Sequence, residues 1–245
     1  INPNTLMYFL IDANIAAGYY LPRSLNSKKA RESIRLILNY VRTHPGEHFI
    51  YVPNICIAET FSVFMKHNFG QWNSHVKKKG TIDTRVYKSI TRQFKKDIHN
   101  GQFMYHYELS RYHILGINLV APIDHYYKIS RGKKRVNPMG TFDHLIISMG
   151  IHLAHIHGRD NVCILSCDDR LIDILSKCKS HIPWNIVKKL GLNSAHELTG
   201  RRFGPKLFPK HLNLKGATKT EYERIFHTWP LPECKVGHVY RHKCE

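Results

Sequence analysis

The chain has 245 residues, of which 42 % are hydrophobic and 22 % charged, close to the composition of an ordinary globular protein. This composition excludes a disordered or fibrous chain, and the longest stretch without Asp, Glu, Lys or Arg, residues 144–158, is shorter than the ~20 residues of a membrane-spanning helix. The formal net charge is +19, with 37 Lys and Arg against 18 Asp and Glu. This excess predicts a polyanionic partner, and it favours nucleic acid over a membrane surface or an acidic protein.

The basic residues are concentrated in three segments of the chain. Residues 65–107 contain nine Lys or Arg and two acids, residues 128–135 contain five and none, and residues 188–245 contain twelve and five. The remainder is neutral, so we expect a neutral body with basic segments that contact phosphates. The candidate nucleic-acid-binding residues are the two densest basic runs, Lys77, Lys78, Lys79, Lys133, Lys134 and Arg135.

The six cysteines are spread thinly over a chain that is long enough to fold without disulfides. Several of them lie within apolar runs, as free buried thiols do, and we therefore expect a reducing, cytoplasmic location. A carboxyl-terminal group could bind zinc, but its short spacings favour an unstructured His-rich tail. This group consists of Cys234, His238, His242 and Cys244.

The first quarter of the sequence alternates between strand and helix patterns. Leu6 to Ile11 forms an apolar run typical of a buried parallel strand, and Ser27 can cap a helix that continues to about Arg42. His48 to Val52 predicts a second strand, and Asn54 to Asn68 predicts a second helix. This alternation indicates an α/β fold with a mostly parallel sheet.

The middle of the sequence breaks the alternation. Gly70 to Gly101 is polar and basic, and it predicts an inserted helix or helical pair whose best-formed part is capped by Thr81. Tyr105 to Ile117 predicts a further helix, whereas Pro122 to Ile129 is typical of a turn and Ser130 to Pro138 of a basic loop.

The core pattern returns at Thr141, which can cap a long apolar helix ending near His155. Val162 to Ser166 predicts a strand and Asp169 to Cys178 a helix, and beyond Gly191 frequent Gly and Pro interrupt the periodicity. We expect a three-layer α/β/α domain over residues 1–191, with a basic helical insertion at about 69–110. Residues 192–245 are expected to form a basic extension that wraps around the domain or extends from it.

Four acids occupy positions that suit a shared site. Asp12 and Asp168 each follow a predicted strand, while Glu59 and Asp143 lie on helices that begin nearby. Sites in open parallel sheets form outside the carboxyl ends of the strands, so these side chains can meet at one edge. Because converging carboxylates repel each other, they predict a hard divalent cation such as Mg²⁺ or Mn²⁺. Asn14 and Ser166 are candidates to orient the carboxylates.

With these acids in this order, the sequence resembles the PIN-domain ribonucleases over residues 6–68 and about 139–190. The matching elements are Asp12 with Asn14, the pair Ala58-Glu59, Asp143 at the start of a helix, and Ser166-Cys167-Asp168 after a strand. Two features depart from the family pattern: residues 69–110 and 192–245 have no counterpart in its small members, and the doubled Asp168-Asp169 leaves the assignment within that pair open.

The resemblance implies a metal-dependent endoribonuclease that hydrolyses single-stranded or structured RNA. Asp12, Glu59, Asp143 and Asp168 would be catalytic residues and ligands of Mg²⁺ or Mn²⁺, and Asn14, Ser166 and Asp169 would support them. Toxin members of the family often form homodimers and are inhibited by a partner protein, so both are possible here. A basic RNA-binding scaffold without activity and a structure-specific DNA nuclease remain the alternatives.

Each candidate also has a plainer interpretation. Asp12 and Asp168 could be helix caps, Asp143 could be an acid favoured by the helix dipole, and Glu59 could be an exposed helix residue. Asp124 fits no position of the pattern and is interpreted as a turn residue. Several aromatic residues near lysines could stack on bases, although core packing is the simpler role, namely Trp72, Tyr87, Phe94, Tyr126 and Tyr127.

Overall fold

The computed structural model describes residues 6–22, 28–72, 77–78, 81–99, 101, 103–130, 139–180 and 182–227. Its strands are β1 (Met7–Ile11), β2 (His48–Pro53), β3 (Gln71–Trp72), β4 (Lys77–Lys78), β5 (Met104–Tyr107), β6 (Val162–Ser166) and β7 (Lys210–Asn213). Five of them form one sheet in the order β5-β2-β1-β6-β7, and every neighbouring pair in it is parallel. The α/β fold class with a parallel sheet is confirmed.

Helices connect the strands and cover the sheet. They are α1 (Ala13–Tyr20), α2 (Lys28–Thr43), α3 (Asn54–Phe69), α4 (Thr84–His99), α5 (Arg111–Leu115), α6 (Ile117–Ser130), α7 (Thr141–His157), α8 (Asp169–Lys179), α9 (Trp184–Lys189) and α10 (Lys219–Phe226). The strands and helices predicted from β1 to α3 and from α7 to α8 are present, with ends shifted by a few residues. Within the described residues, no helix is both long and apolar enough to cross a membrane.

The two faces of the sheet pack against different helices. Phe9 of β1 lies on one face, where its ring meets Phe226 of α10 with centroids 5.4 Å apart. Ile164 of β6 lies on the opposite face, close to Gly150 of α7. Because successive side chains of a strand point to opposite faces, the short strands contribute to both helical layers, which gives three layers.

The structure corrects two predictions in the middle of the chain. Tyr105 to Ile117 is not a helix, because Met104–Tyr107 pairs with β2 as strand β5 before the short helix α5 begins. Pairing with the sheet overrides the local pattern there. Pro122 to Ile129 is not a turn either, since both residues lie within α6, where Pro122 removes one backbone donor without ending the helix.

The basic insertion contains a short antiparallel ribbon, β3 with β4, followed by α4. Asp83, rather than Thr81, accepts the hydrogen bond from the Val86 amide at 2.8 Å near the start of α4. Phe94 of α4 is fully buried and therefore belongs to the core, not to a base-stacking surface. Buried Asp97 pairs with Arg42 of α2, so the helix is fixed to the body of the domain.

The described part of the extension, residues 192–227, joins the domain. Strand β7 adds to the sheet beside β6, and its Leu212 is fully buried. Helix α10 contributes the buried residues Ile225 and Phe226 to the core. Gly and Pro interrupt the sequence pattern in this segment, but its apolar residues still complete the sheet edge.

Candidate active site

Asp12 lies at the carboxyl end of β1, where it caps helix α1. Its Oδ1 accepts a hydrogen bond from the Ile15 amide at 2.8 Å, and its Oδ2 accepts one from Ser166 Oγ at 2.5 Å. Only 4 % of its surface is exposed, and this burial raises the pKa of the Asp12 carboxyl to about 6. The negative charges of Asp143 and Asp168 raise that pKa further, against the two hydrogen bonds, which lower it.

Ser166 connects the ends of β1 and β6. Its hydroxyl donates to Asp12 and accepts from the Asp168 amide at 2.9 Å, while its side chain is fully buried. Asp168 itself caps helix α8, because its Oδ1 accepts from the Arg170 amide at 2.7 Å. The hydroxyl therefore fixes the position of one carboxylate and of the backbone that carries another.

Asp143 lies in the first turn of α7, where its Oδ2 accepts from the Gly140 amide at 3.1 Å. Gly140, not Thr141, is the capping residue of this helix. Burial raises the pKa of the Asp143 carboxyl, and the charge of Asp168 also raises it. Asp12, Asp143 and Asp168 therefore repel one another at one edge of the sheet, and we call this group the carboxylate site.

Glu59 stands apart from the carboxylate site. It is exposed on α3, one turn after buried Cys56. Burial raises the pKa of the Cys56 thiol, and the charges of Asp12, Glu59 and Asp143 raise it further. The charge of Glu59 therefore acts on the same thiol as the charges of Asp12 and Asp143, which is its link to the carboxylate site.

The structure separates the roles of the two adjacent acids after β6. Asp168 belongs to the carboxylate site, whereas the carboxylate of Asp169 accepts hydrogen bonds from Asn213 Nδ2 at 2.7 Å and Lys215 Nζ at 3.2 Å. These bonds hold the pKa of the exposed Asp169 carboxyl below its usual value. Asp169 therefore fixes the end of β7 to the start of α8.

A cleft of about 560 Å³ opens beside the carboxylate site. It is lined by Asn14 and Asp168, which the sequence analysis identified, and by His67, Arg170 and Lys215, which it did not. Arg170 is recognisable in the sequence only as a neighbour of the acidic pair. Lys215 could not be placed at this edge, because it follows β7, a strand that the sequence pattern did not predict.

The carboxylate site has the donor chemistry of a magnesium or manganese site, with carboxylate oxygens that repel each other and one carboxyl whose pKa is raised to about 6 by burial. The side chains are not arranged as a complete coordination sphere. Across the described ranges, no three His, Cys, Asp or Glu side chains come close enough together to hold one metal ion. Asp12 and Asp168 use carboxylate oxygens to cap helices, so a bound ion would have to compete with those hydrogen bonds.

Asp124 is a buried residue of α6, not a turn residue. Its Oδ2 accepts a hydrogen bond from the Met139 amide at 2.9 Å and lies 3.1 Å from His144 Nε2 of α7. These contacts fix the segment before α7, including Gly140, and so support the position of Asp143.

Several sequence predictions fall outside the described residues. These are the basic residues Lys79, Lys133, Lys134 and Arg135 and the tail residues Cys234, His238, His242 and Cys244. Lys77 and Lys78 form β4, whose backbone alone is described. The described cysteines, namely Cys56, Cys163, Cys167 and Cys178, are all free thiols.

Comparisons with known proteins give little beyond this geometry. No protein-family model matches the sequence, and no curated protein matches it significantly. Among solved structures, the chain is similar to the crystal structure of VapBC2 from Rickettsia felis bound to a DNA fragment from its promoter, with 15 % sequence identity and a TM-score of 0.39. That similarity covers 69 % of this chain and 93 % of the other.

Proposed function

We propose that this chain is a metal-dependent endoribonuclease that hydrolyses RNA phosphodiester bonds at the carboxylate site. The observation that carries the proposal is the placement of Asp12, Asp143 and Asp168 at the carboxyl end of a parallel sheet, where the charges of Asp143 and Asp168 raise the pKa of the Asp12 carboxyl and the charge of Asp168 raises that of Asp143. Such a group is unfavourable by itself, and a divalent cation would remove the repulsion.

Asp12, Asp143 and Asp168 would hold Mg²⁺ or Mn²⁺ after their side chains move closer together, because no three such side chains of the described residues lie close enough to bind one ion as they stand, and Glu59 would approach from α3. The ion would lower the pKa of a bound water and neutralise charge on the phosphate in the transition state. Ser166 would keep Asp12 oriented through its hydrogen bond, and Asn14 would line the cleft that admits the strand. Asp169 would act indirectly, by fixing the loop that presents Asp168.

The charge of the chain supports RNA as the substrate. Arg170, Lys215 and His67 line the cleft and would contact phosphates next to the carboxylate site. The basic residues Lys77, Lys78, Lys79, Lys133, Lys134 and Arg135 would extend these contacts along the strand. Activity in a reducing cytoplasm agrees with the free thiols, and a homodimer or an inhibitory partner protein remains part of the proposal through the sequence resemblance alone.

One observation favours a second candidate, an RNA-binding scaffold that does not cleave. Asp12 and Asp168 both cap helices, and a structural role accounts for those hydrogen bonds without any metal. The scaffold and the nuclease make different predictions about the same purified protein.

The deciding experiment incubates the full chain with labelled RNA and with labelled DNA in Mg²⁺, in Mn²⁺ and in EDTA. The proposal expects RNA fragments with either ion and none with EDTA. Binding without fragments in any condition would establish the scaffold, and cleavage restricted to branched or flapped DNA would establish a DNA nuclease. An Asp12→Asn preparation run in parallel shows whether the fragments come from a contaminating nuclease.

A further inference from the structure

The amino end of the sheet, opposite the carboxylate site, contains a second cleft. We call it the amino-end cleft, and its volume is about 370 Å³. Four basic side chains line it, namely His155, Arg159, Arg201 and Lys206. His155 is in the last turn of α7, Arg159 lies between α7 and β6, and Lys206 lies shortly before β7. None of these residues belongs to the basic runs that the sequence analysis selected.

Further cations lie at the amino end of β6 and β7, although they do not line the cleft itself. Lys179 ends α8, Lys210 begins β7 and Arg224 lies in the last turn of α10. Burial lowers the pKa of the Lys179 ammonium, and the positive charges of Arg224 and Arg159 lower it further. Asp160 beside Arg159 offsets this charge only in part, with 3.4 Å between the Arg159 Nε and its carboxylate. The cations therefore repel one another, and a bound anion would relieve that repulsion.

A row of aromatic side chains begins next to this cleft. The His157 ring, two residues before Arg159, stacks on Tyr8 with centroids 3.7 Å apart, and Tyr8 in turn stacks on Phe49 at 5.5 Å. Tyr51 continues the row towards the edge strand, with its centroid 5.9 Å from that of Tyr105. We call Tyr8, Phe49, Tyr51 and Tyr105 the aromatic surface.

The aromatic surface is more open than the opposite face of the same strands. Phe9, Ile50 and Met104 pair across β1, β2 and β5 on that opposite face, and each is fully buried. All four residues of the aromatic surface are only half-buried. Tyr8 and Tyr51 pack against the core, but all four rings keep part of their surface open to a ligand.

Ordinary helix chemistry explains only some of the cations. Basic residues in the last turn of a helix are favoured by the helix dipole, which accounts for Lys179 and Arg224. Arg201 and Lys206 lie outside the α-helices, yet they face the same cleft as Arg159. Their convergence with a row of half-buried aromatic rings is the combination that binds unpaired nucleotides, since cations hold phosphates and rings stack on bases.

We propose that the amino end of the sheet binds single-stranded nucleic acid, with phosphates in the amino-end cleft and bases on the aromatic surface. The amino-end cleft lies at the opposite end of the strands from the carboxylate site, and the aromatic surface crosses the face of the sheet from Tyr8 to Tyr51, which pairs with Leu10 near the carboxyl end of β1. The proposal does not depend on whether the chain cleaves RNA. Single strands are favoured over duplex because only unpaired bases can stack on the rings.

The first test compares two triple variants that remove the same charge. The cleft variant combines Arg159→Gln, Arg201→Gln and Lys206→Gln, and the control combines Lys29→Gln, Arg31→Gln and Arg111→Gln, which neither line the cleft nor lie in the three basic segments. Binding of a short fluorescent oligoadenylate is measured by anisotropy over a series of KCl concentrations in EDTA, so that cleavage does not interfere. We expect the cleft variant to lose at least about tenfold in affinity and to flatten the salt slope by about 2 units, and the control to change little. Equal losses in both would show that affinity follows net charge, and the site would be rejected.

The second test isolates stacking with Tyr51→Leu, and Tyr51→Phe serves as the variant that keeps the ring. Tyr51→Leu should weaken oligoadenylate binding about fivefold or more without changing the binding of inorganic polyphosphate. Tyr51→Phe should resemble the wild type. If Tyr51→Leu does not fold, as judged by circular dichroism, Tyr105→Leu at the edge strand replaces it. The proposal would be overturned if the leucine variant bound oligoadenylate as tightly as the wild type does. It would also be overturned if the wild type bound duplex RNA or anionic vesicles more tightly than oligoadenylate.

Discussion

The two ends of the parallel sheet carry opposite charge. At the carboxyl end, Asp12, Asp143 and Asp168 converge, whereas Arg159, Arg201 and Lys206 line a cleft at the amino end. With about 3.3 Å per residue, the five-residue strand β1 separates these ends by only about 16 Å. A chain with a net charge of +19 thus keeps a negative site within reach of a positive one.

Much of this separation follows from how helices are arranged in a parallel α/β fold. Helices begin near the carboxyl ends of the strands, where Asp12 and Asp168 act as caps, and they end near the amino ends, where Lys179 and Arg224 lie. The helix dipole favours both placements. The part that it does not explain is more informative: burial raises the pKa of the Asp12 carboxyl to about 6 even though that carboxyl caps a helix. A carboxyl whose pKa is raised by burial in this way is expected at a site that binds a ligand.

The largest effect should come from removing the acids of the carboxylate site. Asp12→Asn, Asp143→Asn, Asp168→Asn and Glu59→Gln should each reduce RNA cleavage by about two to four orders of magnitude, because each lost ligand removes several kcal/mol of transition-state stabilisation. RNA affinity in Mg²⁺ should stay within several-fold, since the phosphate contacts lie elsewhere. Cleavage of labelled RNA and anisotropy on the same preparations measure the two effects.

Asp169→Asn is the matched control for these variants, since it changes the adjacent carboxylate. Asp169 is bonded to Asn213 and Lys215, so its loss should reduce cleavage less than the loss of Asp168. Wild-type cleavage in all four variants of the preceding set would reject the nuclease. A larger effect at Asp169 than at Asp168 would exchange their roles.

The next effect concerns how much affinity comes from basic segments other than the amino-end cleft. Neutralising Lys77, Lys78, Lys79, Lys133, Lys134 and Arg135 together should flatten the dependence of log K on log salt by about 4 units if all six contact phosphate, at about 0.7 per contact. Anisotropy titrations in KCl compare this variant with the cleft variant. An unchanged slope would make the six residues an ordinary solvated surface.

The sequence predicts the carboxyl end better than the amino end. Asp12 and Asp168 follow strands whose apolar runs are unmistakable, and a parallel sheet brings the ends of such strands together. The amino-end cleft is built from Arg201 and Lys206 beside β7, a strand of four residues within a segment rich in Gly and Pro. Its position depends on pairing with β6, which no local pattern specifies.

The aromatic surface shows the same limit. Tyr105 belongs to β5, whose residues read as the start of a helix because apolar residues recur at helical spacing through residue 117. The pairing of β5 with β2 decides the outcome, and it places Tyr105 beside Tyr51. The burial of a charged residue is equally hidden from the sequence: Asp97 is buried on a strongly basic helix, whereas the burial of Phe94 agrees with the simpler role predicted for it from the sequence.

The pH dependence of the free energy of unfolding tests whether burying the charged Asp12 carboxylate destabilises the folded chain. Since its pKa is about 6 in the folded chain and near 3.8 when unfolded, the folded state binds the proton more tightly, and stability falls as pH rises between these values. The loss amounts to about 3 kcal/mol, roughly half of it between about pH 5 and about pH 7.5. Urea unfolding should show that Asp12→Asn loses less stability than the wild type over this interval.

Mn²⁺ should reverse the loss at neutral pH in the wild type. An ion present at about a hundred times its Kd stabilises the folded state by about 2.7 kcal/mol, and Asp12→Asn should gain less. Asp169→Asn is a control for the pH dependence of stability. The pKa of Asp169 is lowered in the folded chain, so its contribution to stability is lost as pH falls, whereas that of Asp12 is lost as pH rises. A wild type that does not respond to Mn²⁺, together with a destabilised Asp12→Asn, would make the acids structural caps.

The smallest expected effect concerns α7, the helix that reaches both ends. It carries Asp143 in its first turn and His155 and His157 in its last, and Gly150 lies between them against β6. A Cβ at position 150 would lie 2.5 Å from Ile164 Cδ1 and 3.0 Å from its Cγ1. The clash costs about 1–3 kcal/mol, against the ~1 kcal/mol that alanine gains over glycine within a helix.

Gly150→Ala should therefore destabilise the chain by about 1 kcal/mol and lower its Tm by roughly 2–4 °C, as measured by calorimetry. Ile164→Val removes Cδ1, the atom in closest contact, so the double variant should be more stable than the sum of the two single changes predicts. Because the displaced helix holds residues of both sites, Gly150→Ala should also weaken cleavage and oligoadenylate binding together, and Ile164→Val should restore both. The opposite result would be additive stability in the double variant together with a change in only one of the two activities. In that case α7 would not couple the two ends of the sheet, and the geometry of each site would depend on the loops around it.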